Sequence, residues 1–122
     1  MKCYEVYWAI ASHADKPAMA IHAAIVATNI TSAPVSILAA RLEAENTKRM
    51  TVLDQQVHTR HPERNVYGSY PLLPGVPTPI TASFIIQPPI CEPGNALKAT
   101  TLVLIDQFAN ERKVKNLIFR SY

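Results

Sequence analysis

Prolines set the first limit on what this chain can become. Ten of its 122 residues are proline and only three are glycine. A ring that fixes φ and removes the N–H breaks helix interiors and is tolerated in sheets only at strand starts and edges. The prolines stand between apolar runs, so the intervening elements are short, and their patterning says of what kind. Residues 3–10 alternate, with Tyr4, Val6, Trp8 and Ile10 on one side and Cys3, Glu5, Tyr7 and Ala9 on the other. A period of two among aromatic and β-branched residues predicts a strand. Ser12 to Pro17 then reads as a turn.

Two segments carry both signals. Residues 18–29 are rich in alanine, and Asp15 with Pro17 could open a helix, yet Met19, Ile21, Ala23, Ile25 and Ala27 form an unbroken alternate set. The alternation favours a strand. Residues 29–34 are a loop dense in side chains that bond their own backbone. After it, Leu38, Ala40 and Leu42 share one face if the segment is extended, although Leu38 and Leu42 also sit at helical spacing. A short run, Met50 to Leu53, follows. Residues 58–79, with prolines at 62, 71, 74, 77 and 79, read as mostly irregular.

The last third is plainer. Ile80 to Gln87 ends at Pro88-Pro89, Leu97 to Asp106 is strongly β-prone, and Val114 to Arg120 completes a hairpin through Phe108 to Glu111. Asn110 is the residue of that turn best suited to positive φ. The expectation is an all-β fold over one domain, residues 1–122: an antiparallel immunoglobulin-like β-sandwich of about seven strands. In general look it resembles immunoglobulin-like accessory domains, a likeness of fold that transfers no function. The alternative is α+β with residues 16–29 and 34–57 partly helical, and helix content separates the two.

Composition removes several classes. Apolar residues make up 48% and charged residues 17%, which does not fit disorder, coiled coil or collagen. Three glycines cannot supply a dinucleotide fingerprint or a phosphate loop. The net charge of +3 comes from short groups such as Lys48-Arg49 and Arg112-Lys113, each near carboxylates, and a scattered excess argues against a nucleic-acid surface. Cys3 and Cys91 belong to no CxxC motif and read as free thiols, although one disulfide between them stays open. No signal peptide and no membrane-spanning run is visible, so a cytoplasmic location is expected, whether the chain is whole or excised from a longer protein. Asn29-Ile30-Thr31 matches a glycosylation sequon and, with no secretion signal, reads as a loop.

Chemistry-bearing patterns are sparse. His58-x-x-His61 brings two imidazoles together, but zinc needs three or four ligands, and no histidine follows Cys91 as a copper site would require. His22, in an apolar run, reads as a packed and hydrogen-bonded histidine. No Gly-x-Ser-x-Gly elbow is present, and Glu5, Asp54 and Glu111 read as solvent-facing or turn carboxylates. Asp106 is expected to bond turn amides. No enzyme, metal or cofactor is therefore expected. Trp8 is assigned to the core.

Tyr67 and Tyr70 flank Gly68 close to Arg60, His61 and Arg64, and these five residues are the candidate partner-binding set. The bland account has the tyrosines anchoring a loop over the sandwich. Prolines at strand ends (17, 34, 77, 79, 88 and 89) and the cations Arg112, Lys113 and Lys115 guard the sheet edges. The functional expectation is a non-enzymatic interaction or assembly domain, binding a protein or itself through an exposed strand edge or the 58–79 loop. The alternative is a small carbohydrate-binding module using Tyr67 and Tyr70.

Overall fold

Strands account for every regular element in the computed structural model, which describes residues 2–13, 16–43, 51–87 and 97–121. They are β1 (Lys2–His13), β2 (Lys16–Thr28), β3 (Ile37–Glu43), β4 (Thr51–Arg60), β5 (Tyr67–Gly68), β6 (Pro77–Gln87), β7 (Leu97–Asp106) and β8 (Glu111–Ser121). No helix occurs among the described residues, so the α+β alternative falls. Both doubtful segments are extended. In β2 the alanines lose to pairing, because β1 and β6 flank the strand on its two sides. The expected core position of Trp8 concerns a side chain outside the described set, as does the state of Cys3, and Cys91 lies outside the described residues.

The strands follow one another in the order β3-β7-β8-β1-β2-β6-β4-β5. All neighbours are antiparallel except β1 and β8, which run parallel and touch in register only at Tyr7↔Arg120 and Trp8↔Ser121. That narrow join separates two antiparallel sheets, β3-β7-β8 and β1-β2-β6-β4-β5, packed face to face as a β-sandwich. The alternation predicts what lies between them. Met19, Ile21, Ala23, Ile25 and Ala27 of β2 and Ile80, Ala82, Phe84 and Ile86 of β6 face Ala40, Leu42, Leu102, Leu104, Leu117 and Phe119 of the other sheet in one buried cluster. On the far side of the smaller sheet, Val103 is also fully buried. Arg41 of β3 and Lys113 of β8 flank it in register. Above it Arg41 bonds Glu111 at 2.9 Å and approaches Glu43 at 3.8 Å, with Lys113 3.9 Å from Glu43. These pairs are exposed and contribute little stability themselves.

Three expectations need correction. First, β1 and β2 extend to His13 and Lys16, and Ser12 pairs with Pro17, so the reversal is tighter than the six-residue turn expected. Second, residues 58–60 complete β4, residues 67–68 form β5, and Pro77 to Pro79 open β6. The prolines are tolerated because each lies where its strand has one neighbour. β6 joins β2 from Met19 onward, beyond Pro17, and β4 joins β6 from Ile80 onward, beyond Pro79.

Third, the positive φ in the β7–β8 turn, 64°, belongs to Ala109 and not Asn110. The Asp106 carboxylate accepts the N–H of Phe108 at 2.8 Å and of Asn110 at 2.9 Å, while Ala109 N–H bonds the Asp106 carbonyl at 3.0 Å. Those three bonds place the reversal one residue earlier. An L-residue pays about 1–2 kcal/mol in the left-handed region. Ala109→Gly should therefore raise stability by roughly 0.5–1 kcal/mol after the added flexibility of the unfolded chain is counted, read as a higher urea midpoint.

Candidate functional site

One end of the sandwich carries three connections: residues 29–36 between β2 and β3, residues 61–76 around β5, and residues 107–110 between β7 and β8. They are held together by hydrogen bonds. Asn29 is the junction. Its Nδ2 donates to the carbonyls of Ala33 at 2.8 Å and Leu72 at 2.9 Å, and its Oδ1 accepts from the Thr31 amide at 2.9 Å and hydroxyl at 2.6 Å. Its own carbonyl receives Gly75 N–H at 2.8 Å. Val35 and Leu72 exchange backbone bonds of 3.0 and 2.6 Å. On the other side, Gln107 Oε1 accepts Ser36 N–H at 2.7 Å and Gln107 N–H bonds the Ser36 carbonyl at 3.1 Å. The three loops therefore form one continuous rim.

The five residues singled out in the sequence lie at one margin of this rim. Arg60 and Tyr67 pair across β4 and β5, and His61 N–H donates to the Val66 carbonyl at 2.7 Å. The His61 ring stands edge-on to Tyr70 at 4.8 Å, and its Nδ1 accepts Glu63 N–H at 3.0 Å. Tyr70 also lies over Gly68, where an added Cβ would come within 3.1 Å of its Cε2. Tyr70 is thus a half-buried anchor and Tyr67 is exposed, so the pair offers one free ring and no double platform. Arg64 is exposed at the loop tip, and no ion pair involves Arg60 or Arg64 among the described residues.

The structure adds residues that the sequence reading passed over. Ile30 is 89% exposed and Phe108 70% exposed, each at the tip of its loop, with Val76 and Val66 also open to solvent. The available signal was a large apolar residue inside an otherwise polar turn, Asn-Ile-Thr-Ser and Gln-Phe-Ala-Asn. Below the tips lies a cavity of about 30 Å³ lined by Ala27, Thr28, Asn29, Val35, Leu72 and Arg112. That is room for one water molecule, an order of magnitude below a small-molecule pocket.

Asp106 supports the rim from beneath. Burial pushes its carboxyl pKa up, but the amides of Asn110 and Phe108 and the Arg112 guanidinium, Nη2 3.6 Å away, outweigh it and hold the pKa below the usual value. A carboxyl depressed in the folded state stabilises the fold above its unfolded pKa, and that contribution is lost as pH falls through the depressed value. Urea midpoints of the wild type should therefore fall on acidification below the ordinary aspartate range. Asp106→Asn should be less stable at neutral pH and show a flatter acid profile.

A second cluster occupies the outer face of the larger sheet. His22 stacks on Tyr7 at 4.9 Å and its Nδ1 lies 3.2 Å from Ser83 Oγ, so it is the packed histidine expected. Gln56 Nε2 donates to Asp54 at 3.3 Å, and His58 lies 3.5 Å from Gln56. A serine beside a histidine is a nucleophile–base pair in outline. Here β6 is paired on both sides of Ser83, with His22 and with Gln56. No group of three or more metal-ligating side chains gathers among the described residues, and none of their helices could cross a membrane, there being none.

In comparisons with known proteins, no family model matches this chain and no curated protein matches its sequence.

Proposed function

We propose that this chain is a non-enzymatic protein-interaction domain that meets its partner through the loop-bearing end of the sandwich. The observation that carries the reading is the pair Ile30 and Phe108, large apolar side chains 89% and 70% exposed on two loops that hydrogen bonds tie into one rim. Exposed apolar residues cost solubility, and a cluster of them rimmed by polar groups is the composition of an interface core. Arg60, Arg64 and Tyr67 extend that surface with residue types that dominate interface energetics.

The strand partition supports an immunoglobulin-like reading of the sandwich. With the two-residue β5 set aside, the sheets β1-β2-β6-β4 and β3-β7-β8 divide the strands as a seven-strand constant-type domain does. In that arrangement the β2–β3 and β7–β8 connections share an end, which is where such domains carry recognition loops. The single free ring and the water-sized cavity favour a protein partner over a carbohydrate.

A photo-reactive phenylalanine analogue placed at position 30 or 108, in cells that make the protein, tests this directly. The same partner should be captured from both positions by mass spectrometry, and not from position 120, exposed near the far end of β8. Ile30→Ser with Phe108→Ser should weaken that complex by at least tenfold. Equal capture from all three positions, or none from 30 and 108, overturns the proposal.

A further inference from the structure

Arg112 stands at the root of both exposed loop tips. With Asn29, the neighbour of Ile30, it lines the small cavity beneath the rim. Its Nη2 lies 3.6 Å from Oδ2 of Asp106, the carboxylate that accepts the amides of Phe108 and Asn110. No hydrogen bond reaches the guanidinium from the described residues, and its Nε is buried without a partner. A charged donor withdrawn from water without an acceptor is costly, and the acceptor that a guanidinium meets best is a carboxylate. The side chain is still 33% exposed, so a group from outside can reach it.

We propose that Arg112 is the seat for a carboxylate carried by an acidic side chain of the partner protein. The proposal rests on the reading that the partner meets the loop-bearing end. The cavity of about 30 Å³ takes one oxygen atom, which a planar carboxylate inserts edgewise and a tetrahedral phosphate does not. Ala27, Val35 and Leu72 give the cavity apolar walls, where a charged hydrogen bond is stronger than in water. Asp106 does not use up the guanidinium, because its contact is longer than a hydrogen bond and two backbone amides already share its charge. Ile30 and Phe108 stand on two different loops rooted beside the seat. They would meet chain on both sides of the acidic residue, which fits a side chain and not a chain terminus.

Arginine side-chain NMR on the intact chain tests the seat, with N-acetylglutamic acid α-amide as the probe at constant ionic strength. The Arg112 Nε–H resonance should shift and saturate, while that of Arg64, exposed at its loop tip, should drift linearly. The uncharged N-acetylglutamine amide should move neither. Arg112→Lys keeps a cation beside Asp106 but loses the planar fork. It should keep the β-sheet spectrum and raise the probe dissociation constant roughly fivefold or more, read at the Asn29 amide. The same variant should lower photo-capture from positions 30 and 108 by a similar factor. A linear Arg112 response overturns the seat, as does an equal response to the glutamine probe or to chloride. So does tighter binding of N-acetylglycine or inorganic phosphate, or capture unchanged by Arg112→Lys. The titration needs no partner: saturation without capture refutes the interaction reading alone, and capture with a linear titration refutes the seat alone.

Discussion

Phe84→Ala should cost about 3–5 kcal/mol of folding free energy, the largest effect expected of any single substitution in the described core. Phe84 is almost wholly buried, lies opposite Ile21 in β2 and Gln55 in β4, and belongs to the cluster that both sheets share. Truncation removes the transfer free energy of the ring and leaves a void that a sheet paired on both sides cannot collapse into. Domains of this size are stable by only about 5–15 kcal/mol, so the loss takes away roughly a fifth of the total at the least. Urea unfolding followed by far-ultraviolet circular dichroism would show a large drop in midpoint with little change in slope. Ile118→Ala, at an exposed position of β8, supplies the contrast and should cost well under about 1 kcal/mol. A small Phe84 effect would mean that the two sheets do not enclose a common core.

Asn29→Ala should cost roughly 2–4 kcal/mol, and its effect should be local in a way that the Phe84 effect is not. The side chain supplies two donors and one acceptor to a buried junction, and its removal leaves the Leu72 carbonyl without its side-chain donor. Hydrogen exchange should quicken in residues 29–36 and 69–76 well before it does in β2 and β6. Asn29→Asp is the sharper variant. It keeps the acceptor for Thr31 but turns a carboxylate toward the carbonyls of Ala33 and Leu72, so it should be at least as damaging as alanine. An aspartate variant as stable as the wild type would show that the junction is held by the backbone alone. Because this junction orders the loop tips, either variant should also weaken capture through positions 30 and 108.

How much of this was legible in the sequence differs from strand to strand. β2 and β6 were readable because their two faces differ sharply: the inward set of each is uniformly apolar, and a slip of one residue would expose all of it. The Asp106 turn was readable because a carboxylate bonding amides two and four residues on is a local event. β4 was readable only in part. Its outward residues Asp54, Gln56 and His58 are polar, and its inward Gln55 is polar too, so the period of two is masked. The Gln55 amide meets the backbone of Ala40 in β3, and Asn29 depends on Leu72, forty-three residues along the chain. No local pattern encodes either contact. The same holds for the candidate site: Arg60, His61, Arg64, Tyr67 and Tyr70 are neighbours in sequence, whereas Ile30 and Phe108 join them only through the folding of two sheets.

The buried amide of Asn29 also bears on the order of events in the life of the chain. Asn29-Ile30-Thr31 is an acceptor sequence for an N-linked glycan, and the nitrogen that would carry the sugar has both its hydrogens committed inside the rim. A transferase can reach that nitrogen only before β2, β3 and the 69–76 segment have come together. A sugar would replace one of those two hydrogens and cost the junction its bond to Ala33 or to Leu72, so glycosylation at Asn29 and closure of the rim oppose one another. In a host that glycosylates, the folded fraction should carry no sugar at Asn29 by peptide mass mapping, and any glycosylated fraction should be protease-sensitive. A sequon that looks like an address label is, in this fold, a clock.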